Sequence, residues 1–350
     1  MLIVQKYGGA TLATPEKIKA VAQRISDLKK SGKNIVAVVS AMGETTNQLI
    51  QLAHEVSKNP SLRELDMLLS VGERTSMALL TMALNDLGCP AISFTGSQAG
   101  ILTDESHINA NIIDVKAFRV SEALEKNKVV ILAGFQGVSA ITKEITTLGR
   151  GGSDTSAVAM ASHLNADHCE ILKDVDSVFT ADPKLIVMAQ PLRFLNFDQL
   201  LEMTLLGAKV LHYKSVEMAK SKNVKLYVGS ADNQNSDGTW IDSTYSDKKN
   251  IALAVHMKNF SILNSSDYLT DLEKKYAQQN LNLCSVSLTM SKLMTPEIEN
   301  LIEQKFKIKN IQIIDQVKTC LSLNLILGQA QKNQALTELH SLISIHCKNQ

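Results

Sequence analysis

The sequence is poor in aromatic residues, has no surplus of either charge and contains no long apolar run. Aromatic side chains make up 4% of its 350 residues, too few for a base-stacking surface. The 36 basic and 35 acidic side chains nearly cancel, leaving a net charge of +1. That balance excludes the electrostatic footprint of a nucleic-acid binder or of a protein held on an anionic membrane, so any anion must be captured locally. Five cysteines (Cys89, Cys169, Cys284, Cys320 and Cys347) are scattered without a C-x-x-C pair. They read as buried thiols in a reducing compartment, not as a disulfide framework or zinc site. The histidines show neither H-x-x-x-H nor H-E-x-x-H spacing and read as surface or satisfied core residues. Only Met1 to Val4 are apolar before the first charge at Lys6, too short for a signal-peptide core, and no later stretch approaches a membrane span. A cytoplasmic protein is expected, with no membrane or nucleic-acid partner.

What is present is ample apolar material, 45% of the residues, in a chain long enough for two domains. Leu2–Gln5 is a buried strand running into the turn Tyr7-Gly8-Gly9. Thr14-Pro15 reads as an N-cap with proline at the first helical position; Ile18, Val21, Ala22, Ile25 and Leu28 follow at helical spacing, and Gly32 ends the helix. Ile35–Val39, Ala91–Phe94, Val129–Ala133, Cys169–Leu172 and Val224–Val228 are further strands. Helices are predicted near Thr46–Ser57, Leu62–Leu87 (interrupted by Gly72), Ser153–Leu164 with Ser153 as its cap, Phe197–Leu206 and Lys214–Lys222. Apolar strands alternating with amphipathic helices imply an α/β domain, a mostly parallel sheet sandwiched by helices, with ligands at the carboxyl ends of the strands. A domain over residues 1–230, a polar, turn-rich linker over 231–250 and a smaller α+β domain over 251–350 are expected, the last in the order β-α-β-α-β-β-α. Trp240-Ile241 reads as an apolar anchor for that second domain.

Two glycine-rich turns carry the local anion chemistry. Lys6-Tyr7-Gly8-Gly9 follows the first strand, where glycine lets backbone amides approach phosphate oxygens and lysine adds a point charge. Neither a G-x-x-x-x-G-K-[ST] loop nor a strand-linked G-x-G-x-x-G occurs. Leu148-Gly149-Arg150-Gly151-Gly152-Ser153-Asp154-Thr155 opens onto a helix N-terminus that attracts anions, with an arginine able to clamp a carboxylate or phosphate. Asp154 there either stabilises the helix dipole or holds a lysine in place.

With these turns stand Val39-Ser40-Ala41-Met42-Gly43-Glu44-Thr45-Thr46, Val71-Gly72-Glu73-Arg74, Gly134-Phe135-Gln136-Gly137-Val138, Asp174-Val175-Asp176, Thr180-Ala181-Asp182-Pro183 and Gly207-Ala208-Lys209-Val210-Leu211. In this order, across roughly residues 1–230, the motifs resemble the aspartokinase family of the amino-acid kinase fold. The resemblance implies phosphoryl transfer from ATP, with Mg2+, to the side-chain carboxylate of L-aspartate, a first step towards lysine, threonine and methionine. It implies catalytic roles for Lys6, Asp154 and Arg150, and substrate contacts by Ser40, Thr46, Glu73, Arg150 and Ser153, with Glu73 taking the α-ammonium and Arg150 a carboxylate. Lys6, Tyr7, Gly8, Gly9, Lys173, Asp174, Phe179, Asp182 and Lys209 would line the nucleotide, and no dedicated metal-ligand cluster is expected. A glutamate kinase and a catalytically weak regulatory subunit that binds amino acids stay open as alternatives. Glu73 speaks against N-acylated substrates, which lack the ammonium.

Three departures from the family pattern stand out. Ala10 replaces a hydroxyl residue after the glycine pair, with Thr11 as its candidate substitute. Lys173 precedes Asp174 where Thr or Ser is usual, and is expected to turn to solvent, with an added phosphate contact as the alternative. The family carries paired ACT modules with glycine in the effector-binding turn. Here Gly328 is the only glycine from Ile251 onwards, and the first turn reads Asn264-Ser265-Ser266-Asp267. A divergent ACT-like domain is expected, mediating a homodimer, with weak or altered feedback by lysine or threonine.

Overall fold

Strands buried on both faces need helices on both sides, and the computed structural model arranges the first half of the chain in that way. It describes residues 1–233, 236–245, 252–259, 271–277, 282–291 and 295–347. The turn Asn264–Asp267 and the tail of the 231–250 segment, with Lys248 and Lys249, lie outside the described residues. The elements up to residue 94 are β1 (Leu2–Tyr7), α1 (Pro15–Lys30), β2 (Asn34–Val39), α2 (Thr45–Val56), α3 (Leu62–Asp86) and β3 (Ala91–Phe94). There follow β4 (Ile101–Thr103), β5 (Ile112–Val115), α4 (Phe118–Glu125), β6 (Val129–Ala133), β7 (Gln136–Ser139) and β8 (Ile145–Thr147). Next come α5 (Gly152–His163), β9 (His168–Lys173), β10 (Val178–Phe179), β11 (Pro191–Leu192), β12 (Phe194–Leu195), α6 (Phe197–Leu205) and α7 (Tyr213–Ser221). After them lie β13 (Leu226–Ser230), β14 (Thr239–Ile241), β15 (Ala252–Asn259), α8 (Asp271–Ala277) and β16 (Leu283–Met290). The last are α9 (Pro296–Ile308), β17 (Ile313–Lys318), β18 (Ser322–Gly328) and α10 (Lys332–Cys347).

Two compact units form, Met1–Ser177 with Glu217–Asp242, and Val178–Val216 with the residues from Ser243 onwards. This spatial division differs from boundaries drawn at 230 and 250, because 178–216 groups with the C-terminal unit and β14 joins the first. In the first unit the sheet order is β14-β13-β9-β1-β2-β6-β3, every neighbouring pair parallel except β13 with β14. Ile3, Ile35, Ala37, Val39, Val129 and Ile131 pack with Ile18, Val21 and Ile25 of α1 and Leu80 and Leu84 of α3. Thr14 caps α1 by accepting the Lys17 N–H at 3.4 Å, and Gly32 leaves it at φ +86°. A second, smaller sheet runs β5-β4-β7-β8.

Two expectations change here. Helix α3 is one unbroken 25-residue helix. Gly72 does not interrupt it; a Cβ at Gly72 would lie 2.7 Å from Ala41 Cβ, so glycine lets α3 approach the turn after β2. Ser153 is not the cap of α5. Gly149 (φ +71°) and Gly151 (φ +69°) turn the chain, Gly151 stands at the N-cap, and Ser153 lies inside the first turn. Trp240 pairs with Tyr227 across β13–β14, with ring contacts at 5.0 Å to Tyr227 and 5.2 Å to His168.

The C-terminal part follows the order β-α-β-α-β-β-α as β15 to α10, building an antiparallel sheet β15-β16-β18-β17. Val286, Leu288, Met290, Leu325 and Leu327 pack with Ile302 and Phe306 of α9 and Leu336 and Leu339 of α10. Among the described residues this is a single four-stranded sheet, hence one α+β module. No helix among the described residues is long and apolar enough to cross a membrane.

Candidate active site

The carboxyl ends of β1, β2 and β9 lie side by side, and the first glycine turn is tied into them. Ser40 N–H donates to Tyr7 O at 3.1 Å, and Gly8 N–H donates to Leu172 O at 3.2 Å, extending the β1–β9 ladder. Gly8's amide is therefore engaged with the sheet. Its missing side chain leaves room instead, because the nearest atoms to a Cβ there are Leu172 O at 3.8 Å and Lys6 Nζ at 3.9 Å. Gly9 is glycine for packing: a Cβ would meet Ala41 O at 2.8 Å.

Side chains alternate along a strand, so Lys6 and Tyr7 leave β1 on opposite faces. Tyr7 is fully buried and its hydroxyl donates to Gln5 Oε1 at 3.0 Å, which makes its side chain a core element and not a nucleotide contact. Lys6 shares its face with its register partner Ile171, and therefore with Lys173 two residues on. On this face Lys6 Nζ lies 2.7 Å from Asp154 Oδ1, both side chains buried. Asp154 reaches Lys6 from the first turn of α5, whose start approaches the sheet because Gly134 has no Cβ to strike Val38 and Ser153. Ser40 Oγ donates to Ser153 Oγ at 3.0 Å, so the second glycine turn is joined to the end of β2.

Glu73 enters from α3. Ala41 N–H donates to its Oε1 at 3.1 Å, whereas its Oε2 is buried without a hydrogen-bond partner. Burial pushes its carboxyl up to about 7, against the opposing pull of backbone N–H groups and of Lys6. Burial likewise lowers the Lys173 ammonium, with Asp154 drawing it up and Lys6 pushing it down. Lys173 is thus half-buried within the charge cluster of Lys6 and Asp154, not turned to solvent as expected, because its register places it beside them.

Arg150 stands exposed at the tip between Gly149 and Gly151, Thr46 is half-buried in the first turn of α2, and Asp174 is exposed just after β9. Phe179, Asp182 and Lys209 belong to the second unit. There Phe179 pairs with Pro191, Asp182 Oδ1 accepts the Lys184 N–H at 2.9 Å, and Lys209 is exposed beyond α6.

This arrangement gathers Lys6, Asp154, Lys173 and Glu73 between two glycine turns at the carboxyl end of a parallel sheet. The amino acid kinase family model matches residues 1–230. The aspartokinase of a Bacillus species is 40% identical over 314 residues, 88% of this chain and 75% of that protein. The chain belongs to the aspartokinases of the amino acid kinase family. Identity to the Corynebacterium glutamicum aspartokinase is 53% over 246 residues, 70% of this chain; the chain spans 58% of that relative's length. The fold is also that of Escherichia coli aspartokinase III in complex with aspartate and ADP, with a TM-score of 0.83 at 19% identity, covering 98% of this chain and 100% of that one.

Against this aspartokinase background, Thr11 does not make good the hydroxyl lost at Ala10. Thr11 is buried and its Oγ1 donates to Gly8 O at 2.7 Å, holding the turn. Sequence reasoning also passed over a cluster built on Asp66, fully buried in α3. It accepts from His107 Nδ1 at 2.6 Å, Ile108 N–H at 3.1 Å and Thr147 Oγ1 at 2.5 Å. Gln136 was likewise unassigned; its Nε2 donates to Ser70 O at 3.0 Å and its Oε1 accepts from Arg74 at 3.3 Å. The available signal for Asp66 was its place seven residues before Glu73, two helical turns back on the same face.

Proposed function

We propose that this chain transfers the γ-phosphoryl group of ATP to the side-chain carboxylate of L-aspartate, forming 4-phospho-L-aspartate and ADP. One observation carries the reading: the buried Lys6–Asp154 pair sits on the same strand-end floor as Glu73, whose Oε2 has no partner. A carboxylate nucleophile is ionised at neutral pH, its ordinary pKa being near ~3.9, so no general base is required. The task is to bring an anion against a polyanion, which calls for fixed positive charge and alignment.

Lys6, aimed by Asp154, neutralises charge on the transferring group. Gly8 places no side chain beside Lys6 Nζ, the side from which a phosphate approaches. Glu73 Oε2 accepts the α-ammonium of aspartate, and Arg150 clamps a carboxylate from the other glycine turn. Ser40, Ser153 and Thr46 supply hydroxyls to the substrate. Asp174 contacts the nucleotide, and Gly9 and Lys173 close the phosphate end. No group of three or more His, Cys, Asp or Glu side chains among the described residues is arranged to hold a metal. Magnesium would enter on the nucleotide's phosphates and supply charge neutralisation there. The C-terminal module is the expected dimerisation element, a state that light scattering of the full chain measures.

Hydroxylamine trapping of the acyl phosphate, with ATP, magnesium and, in parallel, aspartate, glutamate and N-acetylglutamate, tests this function. Hydroxamate from aspartate alone is expected. Product chiefly from glutamate would overturn the substrate, and no product from any of the three would favour a regulatory subunit.

A further inference from the structure

Asp66 is as deeply buried as any residue of the chain, yet it is a carboxylate, and everything it holds lies on the path to Arg150. Its Oδ2 takes His107 Nδ1 at 2.6 Å and its Oδ1 takes Thr147 Oγ1 at 2.5 Å, while Ile108 N–H reaches both oxygens at 3.1 and 3.2 Å. Ile108 has φ +68°, a left-handed backbone that a β-branched residue adopts only where its surroundings over-determine it. The loop so pinned is pressed against the second glycine turn. A Cβ at Gly149 would meet Asn109 Oδ1 at 2.9 Å and Ile108 O at 3.1 Å, and Ala110 N–H donates to Thr147 O at 2.9 Å. The two sides of this clasp, Thr147 directly and Gly149 through residues 108–109, are the residues leading into Arg150.

The same helix carries Glu73. Seven residues separate Asp66 from Glu73, which at about 1.5 Å per residue is roughly 10 Å along one face of α3. Glu73 is itself tied to Ala41 N–H, and Gly72 packs on Ala41. One rigid helix therefore grips the loop of Arg150 at one point and presents Glu73 at another.

We propose that Asp66 is a positioning residue that sets the distance between Arg150 and Glu73, and so selects a four-carbon amino diacid over its longer homologue. The inference rests on the assignment of those two side chains to the substrate's carboxylate and ammonium. Two charged anchors at a set span accept one chain length, and a single methylene is worth roughly 10- to 200-fold in discrimination when the site cannot adapt.

The test uses the full chain, hydroxylamine trapping, and the variants Asp66→Asn and His107→Gln. Hydroxamate formation from aspartate by the unaltered protein comes first; its absence refutes the underlying assignment before any variant is compared. Given that product, Asp66→Asn is expected to raise the aspartate KM about tenfold or more, as a shift of the order of an ångström can, while the ATP KM stays within about twofold. The ratio of kcat/KM for aspartate over glutamate is expected to fall with it. His107→Gln leaves three contacts of the clasp in place, is expected to give the same pattern at about threefold, and decides the matter should Asp66→Asn not fold. An aspartate KM and a substrate ratio that stay at the unaltered values would overturn the proposal. So would aspartate and ATP KM values that rise together, which marks a general loosening.

Discussion

Asp66 and Glu73 are buried carboxylates on one face of one helix, 0% and 3% exposed, and their surroundings differ in a way that separates their uses. Asp66 has donors on both oxygens, from three residues, and is complete as it stands. Glu73 has a donor on one oxygen and none on the other, and burial raises it to about 7. A buried acceptor left open costs stability, so its persistence points to a ligand that fills it, whereas a completed one points to architecture. Asp154 is a third case, matched by a lysine to which the proposed reaction gives a use.

The contrast can be broken most sharply at Asp66. Asp66→Ala strands the donors of His107, Ile108 and Thr147 and is expected to cost about 3–5 kcal/mol in denaturant unfolding; a loss within error of zero would mean that the cluster is not the architecture inferred. Lys6→Ala and Asp154→Ala should each cut hydroxamate formation by about 100-fold, the usual scale for removing a group that meets developing charge. Near-normal turnover in either would remove the pair from the chemistry. Gly72→Ala, which drives a methyl to 2.7 Å from Ala41 Cβ, should cost about 1–3 kcal/mol and weaken aspartate binding by displacing Glu73. An alanine variant as stable as the parent would show that α3 does not need that approach.

Glu73 gives an effect of the opposite sign. Its folded pKa lies near 7, above the ordinary value of 4.5. The resulting stabilisation is full below about 4.5 and is lost as pH rises through about 7, where the buried charge must form. Glu73→Gln should therefore leave stability unchanged near pH 4 and raise it by roughly 3 kcal/mol near pH 8, as followed by thermal melts without ligand. With aspartate, the ionised form is the one that pairs with an ammonium, so the aspartate KM of the parent should fall as pH rises through about 7. A flat KM profile would detach Glu73 from the α-ammonium.

Much of the fold was legible because its signals are local. Thr14-Pro15 and Gly32 bound α1 through capping and backbone preferences, and the strands at Ala91–Phe94 and Val129–Ala133 stand where their apolar runs stand. The β-α-β-α-β-β-α order of the tail was legible for the same reason. Three misreadings occurred where a residue type has two uses. Gly72 reads as a helix breaker, but it is a contact point. Ser153 reads as a cap, but two left-handed glycines had already turned the chain. Lys173 reads as a surface lysine, but register sets it beside Lys6.

The sequence by itself determined the alternation of strands and helices, the positions of the glycine turns and the ordered motifs that mark an aspartokinase. These depend on neighbours within a few residues, and chain order is enough to see them. Only the tertiary structure decided which polar groups are paired. Asp66 meets Thr147 and Lys6 meets Asp154 across more than 80 and 140 residues. Whether a buried carboxylate is complete, like Asp66, or open, like Glu73, depends on donors brought in by other elements, and no local pattern encodes that.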